Sequence, residues 1–254
     1  MSMHYKEVPR GLPKEEAERY ATGINLVAKF VDSLEKEGIL PKRFARSVAV
    51  SASQPEVIGE AIKFTDEERK ALVDDGAVIY LPTGETIKAQ KSARRPFWYI
   101  ADGFKENGVN RLTEFPSRPI EVAIYPDPER FFVPESNSKT TDQQIALVEQ
   151  DAHALRERLG LPNIGEVLPE SSEATEVLFK HFDATGVRIL GQDYMKDGYW
   201  SYIRTNTPTN KEGSGVAFVG GWDAADGLDV FDWLRDASDV YFHAARWVVP
   251  TGTR

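Results

Sequence analysis

The side chains best placed to do chemistry in this 254-residue chain are concentrated between Trp222 and Tyr241. Its acids are Asp223, Asp226, Asp229, Asp232, Asp236 and Asp239, and Arg235 is the one basic residue among them. Trp222, Phe231, Trp233 and Tyr241 are interspersed with them. Carboxylates accept hydrogen bonds and attract cations, and aromatic rings supply wide, rigid contact area. Together these are the materials of a recognition surface, and the ten residues form the candidate ligand-binding set. A plainer reading is available. Acids three and four apart could share one solvated helix face, with Leu228, Phe231, Leu234 and Val240 opposite. Stacked like charges would destabilise such a helix, Asp is a poor helix former, and Gly227 interrupts it. A strand between two Asp-rich loops fits at least as well. Calcium would need oxygen ligands at alternate positions, and Asp223-Ala-Ala-Asp-Gly-Leu-Asp229 does not offer them.

The rest of the chain offers little for catalysis. His4, His153, His181 and His243 are not at metal-ligand spacing, and no H-E-x-x-H occurs. The absence of cysteine excludes disulfides, Cys-ligated zinc, iron–sulfur clusters and thiol nucleophiles. No G-x-S-x-G elbow is present, and Gly213-Ser-Gly215 lacks the flanking strand and helix pattern. Neither G-x-G-x-x-G nor G-x-x-x-x-G-K occurs, so no phosphate loop is expected. Arg94 and Arg95 beside Phe97, Trp98 and Tyr99 form a small basic-aromatic patch that could stack on a base or sugar; a solvated strand edge is the plainer account. No catalytic residue, metal or cofactor is assigned.

Charge narrows the partners. Lys and Arg total 31 against 40 Asp and Glu, for a net charge of -9. Phosphate backbones and anionic lipid both call for basic surfaces, so neither a nucleic acid nor a membrane is expected. The partner expected is a protein or a small-molecule ligand. No apolar run approaches the length of a membrane span, and Met1–Gly11 lacks the apolar stretch of a signal peptide. The chain reads as cytoplasmic, although a mature chain stripped of a leader would read the same way.

The elements that must position these residues read as an α+β fold. Leu12 to Leu40 is a long amphipathic helix, stopped by Gly38 and Pro41. Ser47 to Ser53 alternates as a strand would. Thr65 to Asp74 opens with a capping box. Ala77–Leu81 and Thr86–Gln90 read as a hairpin turning at Gly84. Phe97–Ile100 and Ile120–Tyr125 read as strands. Asp142–Leu159 is a strong helix ended by Gly160, and Ser172–Phe182 a second one capped by Ser171 or Ser172. Val187–Leu190, Tyr199–Arg204, Val216–Gly220, Leu228–Trp233 and Ala244–Val249 are candidate strands. Pro and Ser punctuation places a boundary near 116. It leaves a helical N-terminal segment with a small α/β region at 1–115 and a domain at 116–254. Trp200 and Trp247 are expected in the core.

The second region resembles the C-type-lectin-like fold, in the bacterial branch related to formylglycine-generating enzymes and retroelement-diversified binding proteins. The motifs are two helices with Leu168-Pro169 before the second, then Tyr199-Trp-Ser201, Gly215-Val-Ala-Phe-Val-Gly220, Gly227-Leu-Asp-Val230 and Ala245-Arg-Trp-Val-Val249. The resemblance implies two helices followed by short antiparallel strands. It also implies a variable face in the last strands and loops, which here is Trp222–Tyr241. Formylglycine-generating chemistry needs cysteines that this chain lacks, and calcium-dependent sugar motifs of the Glu-Pro-Asn type are missing. The reading that follows is a non-enzymatic binding protein. The alternatives are a hydrolase with a carboxylate-based site, or a structural assembly subunit.

Overall fold

The computed structural model describes residues 61–195 and 198–251. The expected helix at Leu12–Leu40, the strand at Ser47–Ser53 and His4 lie outside the described residues.

Local chemistry accounts for the helix starts. Helix α1 (Asp66–Asp74) begins with the expected capping box: Thr65 Oγ1 accepts from the Glu68 N–H at 3.2 Å, and the Glu68 carboxylate accepts from the Thr65 N–H at 2.8 Å. Strand β1 (Val78–Tyr80) follows. The expected hairpin does not form, because residues Ile87–Ser92 are helix α2. Thr86 caps it by accepting from the Ala89 N–H at 3.0 Å. Lys88-Ala-Gln-Lys91 are helix formers without strand alternation, so cap and propensity prevail together. Next come β2 (Phe97–Ile100), a small hairpin of β3 (Lys105–Glu106) and β4 (Val109–Asn110), β5 (Val122–Ile124) and the short α3 (Pro128–Phe131). Helix α4 spans Thr141–Leu159 and buries Val148, Ala152 and Leu155, the expected stripe. After β6 (Ile164–Glu166), helix α5 spans Ser171–Thr185. Its N-cap is Glu170 rather than Ser171 or Ser172, with the Glu173 carboxylate accepting from the Glu170 N–H at 3.3 Å.

Strands β7 (Tyr202–Pro208), β8 (Gly215–Asp223) and β9 (Gly227–Leu234) follow, then β10 (Phe242–His243) and β11 (Val248–Pro250). The expected strand at Val187–Leu190 is irregular backbone with Ile189 and Leu190 buried and Leu190 at φ 65°. A four-stranded antiparallel sheet has the order β1-β5-β11-β6. A five-stranded sheet has the order β10-β7-β8-β9-β2, with β7-β8-β9 antiparallel and both edge pairs parallel.

Ile58–Arg254 forms one compact unit, and strands from both sides of residue 116 share both sheets. The expected boundary therefore cuts through the sheets. The reason is positional: β1 and β2 each add to an edge of a sheet whose other strands come later in the chain.

The main core lies between the five-stranded sheet and α5, where Ala174, Val177, Leu178 and Phe179 meet Ile203, Ala217, Val219, Leu228 and Val230. Trp247 belongs to it, as expected, whereas Trp200 is half-buried. Among the described residues no helix is long and apolar enough to cross a membrane.

Candidate functional site

Side chains alternate across β7, β8 and β9, so whatever does not face α5 faces the other way. That second face carries Tyr202, Val216, Phe218 and Phe231, with Phe242 and Tyr241 packed alongside. The rings interlock. Phe218 lies 4.2 Å from Phe242 and 5.3 Å from Phe231 between centroids. Phe231 meets Tyr202 edge-on at 4.8 Å and Trp233 at 6.5 Å, and Tyr199 lies 4.8 Å from Tyr241.

One part of this face is closed by the chain itself. Arg204, fully buried, stacks its guanidinium 4.7 Å from the Phe218 ring. It donates to Gln144 Oε1 at 2.8 Å and Thr141 Oγ1 at 2.7 Å. It also donates to the carbonyls of Arg235, Ala237 and Lys139 at 2.9, 2.7 and 3.1 Å. Burial and the nearby Arg235 lower its pKa to about 10. This residue staples the segment after β9 to the start of α4. A cleft of about 410 Å³ lined by Thr140, Asp142, Ser214, Leu234, Arg235 and Asp236 marks the seam.

The other part is open. Pairing with β2 involves only Leu228, Asp229 and Val230, so β9 runs on beyond its neighbour. Tyr99, Tyr199 and Trp233 (54%) are exposed. Asp229 sits between Tyr99 on β2 and Gly220 on β8, its register partners. The Tyr202 ring crosses Gly220 and Gly221 to bring its hydroxyl 3.4 Å from Asp229 Oδ2. A Cβ at Gly220 would stand 2.4 Å from the Ser201 carbonyl oxygen, so no side chain fits there, and Gly221, at φ 55°, lies against the Tyr202 ring in the left-handed region that favours glycine.

Asp229 is 7% exposed, and its Oδ1 has no hydrogen-bond partner among the described residues. Burial raises its pKa to about 6, against the opposing pull of the Tyr202 hydroxyl and the Val230 N–H. Burial and the Asp229 charge raise the Tyr202 phenol to about 12.

The structure sorts the ten candidate residues. Asp226, Asp232, Trp233 and Asp236 are exposed, Asp223, Phe231, Asp239 and Tyr241 are half-buried, and Trp222 and Asp229 are buried. Trp222 leaves the set. Strict alternation from Phe218 and Gly220 would place it on the open face, but a bulge between Gly220 and Asp223 turns it inward. There it packs 5.1 Å from Phe179 and 5.3 Å from Phe182. Asp223 holds the β8–β9 turn, accepting from the N–H groups of Ala225 at 2.7 Å and Asp226 at 3.2 Å. Asp239 accepts from the Tyr241 N–H at 3.2 Å. Phe231, Trp233, Tyr241 and Asp229 come together on the open face. Tyr99, Tyr199 and Tyr202 join them, and the acid-rich segment gave no hint of these three because cross-strand register sets their places.

Outside this face, Arg95 pairs with Asp183 at 2.6 and 2.7 Å, so that half of the Arg94–Arg95 patch is an ion pair. His153 is exposed, His181 accepts or donates at 2.8 Å to the Tyr80 hydroxyl, and His243 stacks on Phe132 at 4.2 Å. Among the described residues no group of three or more His, Asp or Glu is placed to hold a metal ion. No family model, curated protein or solved structure matches this chain.

Proposed function

We propose that this chain is a non-enzymatic binding protein whose recognition surface is the open face of the five-stranded sheet. In this reading the ligand is a protein or small molecule, met by Tyr99, Phe231, Trp233 and Tyr241 around Asp229. The observation that carries it is a set of exposed and half-buried rings on the sheet, Tyr99 and Trp233 exposed and Phe231 and Tyr241 half-buried. Large aromatic side chains left in water are unfavourable unless a partner covers them, and contiguous patches of this kind mark interaction sites. Rigid strands hold the rings in place, so little ordering entropy is lost on binding.

The same proposal includes a C-type-lectin-like arrangement of the C-terminal part, with β1 and β2 as additions at its edges. Supporting it, the quoted motifs fall on β8, β9 and the segment closing in β11, after the two helices α4 and α5. The chain also returns at β11 to pair antiparallel with β5.

The test is a ligand screen followed by mutation. A true ligand loses about tenfold or more in affinity on Trp233→Ala or Tyr99→Ala, with the melting temperature unchanged. Ligands that ignore both substitutions would place the recognition surface elsewhere.

A further inference from the structure

We propose that the group this face receives is a cation, the ammonium or guanidinium of a basic peptide segment, seated against Asp229 among the rings of Tyr99, Tyr202 and Phe231. The proposal rests on the open-face reading above and specifies its ligand chemistry.

Three independent features point the same way. The first is the state of Asp229. It has lost its water, being 7% exposed, yet has gained one long hydrogen bond from Tyr202 at 3.4 Å and none to Oδ1 among the described residues. A buried carboxylate with so few partners is costly, and a cation relieves that cost most directly. No Lys or Arg among the described residues pulls its titration down. The groups that meet it are the Tyr202 hydroxyl from β7, the Val230 N–H on its own strand and the Tyr99 register position on β2.

The second feature is the setting of rings. Tyr202, whose hydroxyl meets the carboxylate, stands edge-on to Phe231 at 4.8 Å, and Tyr99 is the exposed cross-strand neighbour of Asp229. A carboxylate among aromatic faces binds ammonium and guanidinium groups through combined charge and cation–π attraction. A neutral or anionic group would gain less from such a setting, and an anion would be repelled.

The third feature is the wider field. Asp226 and Asp236 at the two ends of β9 and Asp232 on its other side are exposed, and Arg235, the cation within the segment, is held by Asp142 at 2.9 Å. The chain carries a net charge of -9. This field steers a basic partner toward the face. Oδ1 is closed to bulk water, so a cation reaches it only if a neighbouring side chain moves. Tyr99, exposed on the edge strand β2, is the cross-strand neighbour of Asp229.

The experiment uses the full chain, labelled for NMR, with n-butylammonium, methylguanidinium and 1-butanol as probes of similar size. Both cations should shift resonances of Tyr99, Tyr202, Asp229 and Phe231, and bind at least about tenfold more tightly than butanol. Asp229→Asn should abolish that difference, and Asp232→Asn, at an exposed acid on the same strand, should leave it in place. Cation affinity should rise between pH 5 and pH 7.5 as Asp229 ionises. If butanol binds the face as well as the cations do, the cation assignment falls and the open-face reading stands. Cation binding indifferent to Asp229→Asn overturns the assignment in the same way. If no probe moves any resonance of the face, both readings fall together.

Discussion

Helix α5 and the open sheet face both bury carboxylates, and they treat them in opposite ways. Glu176 on α5 is 2% exposed and Asp229 on β9 is 7% exposed, so desolvation penalises both. Glu176 is surrounded by donors: the Thr83 N–H and hydroxyl at 2.6 and 2.9 Å, the Ser117 hydroxyl at 2.5 Å and the Lys180 ammonium at 2.8 Å. Burial pushes its carboxyl up, yet Lys180, Ser117 and Thr83 together hold it below the ordinary range. Asp229 has the burial with only the Tyr202 hydroxyl and the Val230 N–H to oppose it, and is pushed up to about 6. Burial alone therefore does not tell what an acid is for. A fully bonded buried acid fixes structure; here Glu176 ties the loop before α2 to α5. A buried acid short of partners holds interaction energy that a group of opposite charge can release.

Several measurements can break or sharpen this comparison. The largest effect belongs to the packed side of the sheet: Trp222→Ala should cost about 3–5 kcal/mol in chemical denaturation, since it removes a ring packed on α5. A loss below about 1 kcal/mol would return Trp222 to the recognition face. Glu176→Ala should cost about 3 kcal/mol, because the Lys180 ammonium and the Thr83 and Ser117 donors lose their acceptor together.

Asp229→Asn should do the reverse and stabilise the free protein. The sign follows from linkage. The folded pKa of about 6 lies above the unfolded value of about 3.9, so the folded state holds the proton more tightly. The wild-type contribution is complete below about pH 4 and is lost as pH rises through about 6. The gain from Asn should therefore grow from pH 4 to pH 6 and level off at about 3 kcal/mol above it. Denaturation midpoints across that range give the answer, and a flat difference would mean Asp229 is not buried as described. Trp233→Ala should have the smallest effect on folding, within about 0.5 kcal/mol, because a half-exposed ring on a protruding strand supports little. A larger loss would make Trp233 part of the core and remove it from the proposed surface.

How much of this was legible in the sequence depends on the range of the interaction. The capping box at Thr65, the stripe Val148-Ala152-Leu155 and the strands β8 and β9 follow from neighbours within a few residues, and each is present. The hairpin expected at Gly84 leaves out the Thr86 cap, and that cap starts helix α2. Val187–Leu190 looked like a strand by composition, but its apolar residues bury themselves without a partner strand. Trp222 was placed on the recognition segment by proximity in sequence, and one bulge after Gly220 reversed its direction.

By itself, the sequence determined an α+β chain with no catalytic motif, two capped helices ahead of a run of strands, and an acidic, aromatic segment near its end. Periodicity, caps and composition act locally, so one chain read in order suffices for them. Only the tertiary structure decided which members of that segment share a face, that Tyr99 and Tyr202 flank Asp229, and that Asp229 is dry while Asp232 is wet. Those facts depend on strand register and bulges, where one inserted residue turns a side chain from solvent to core.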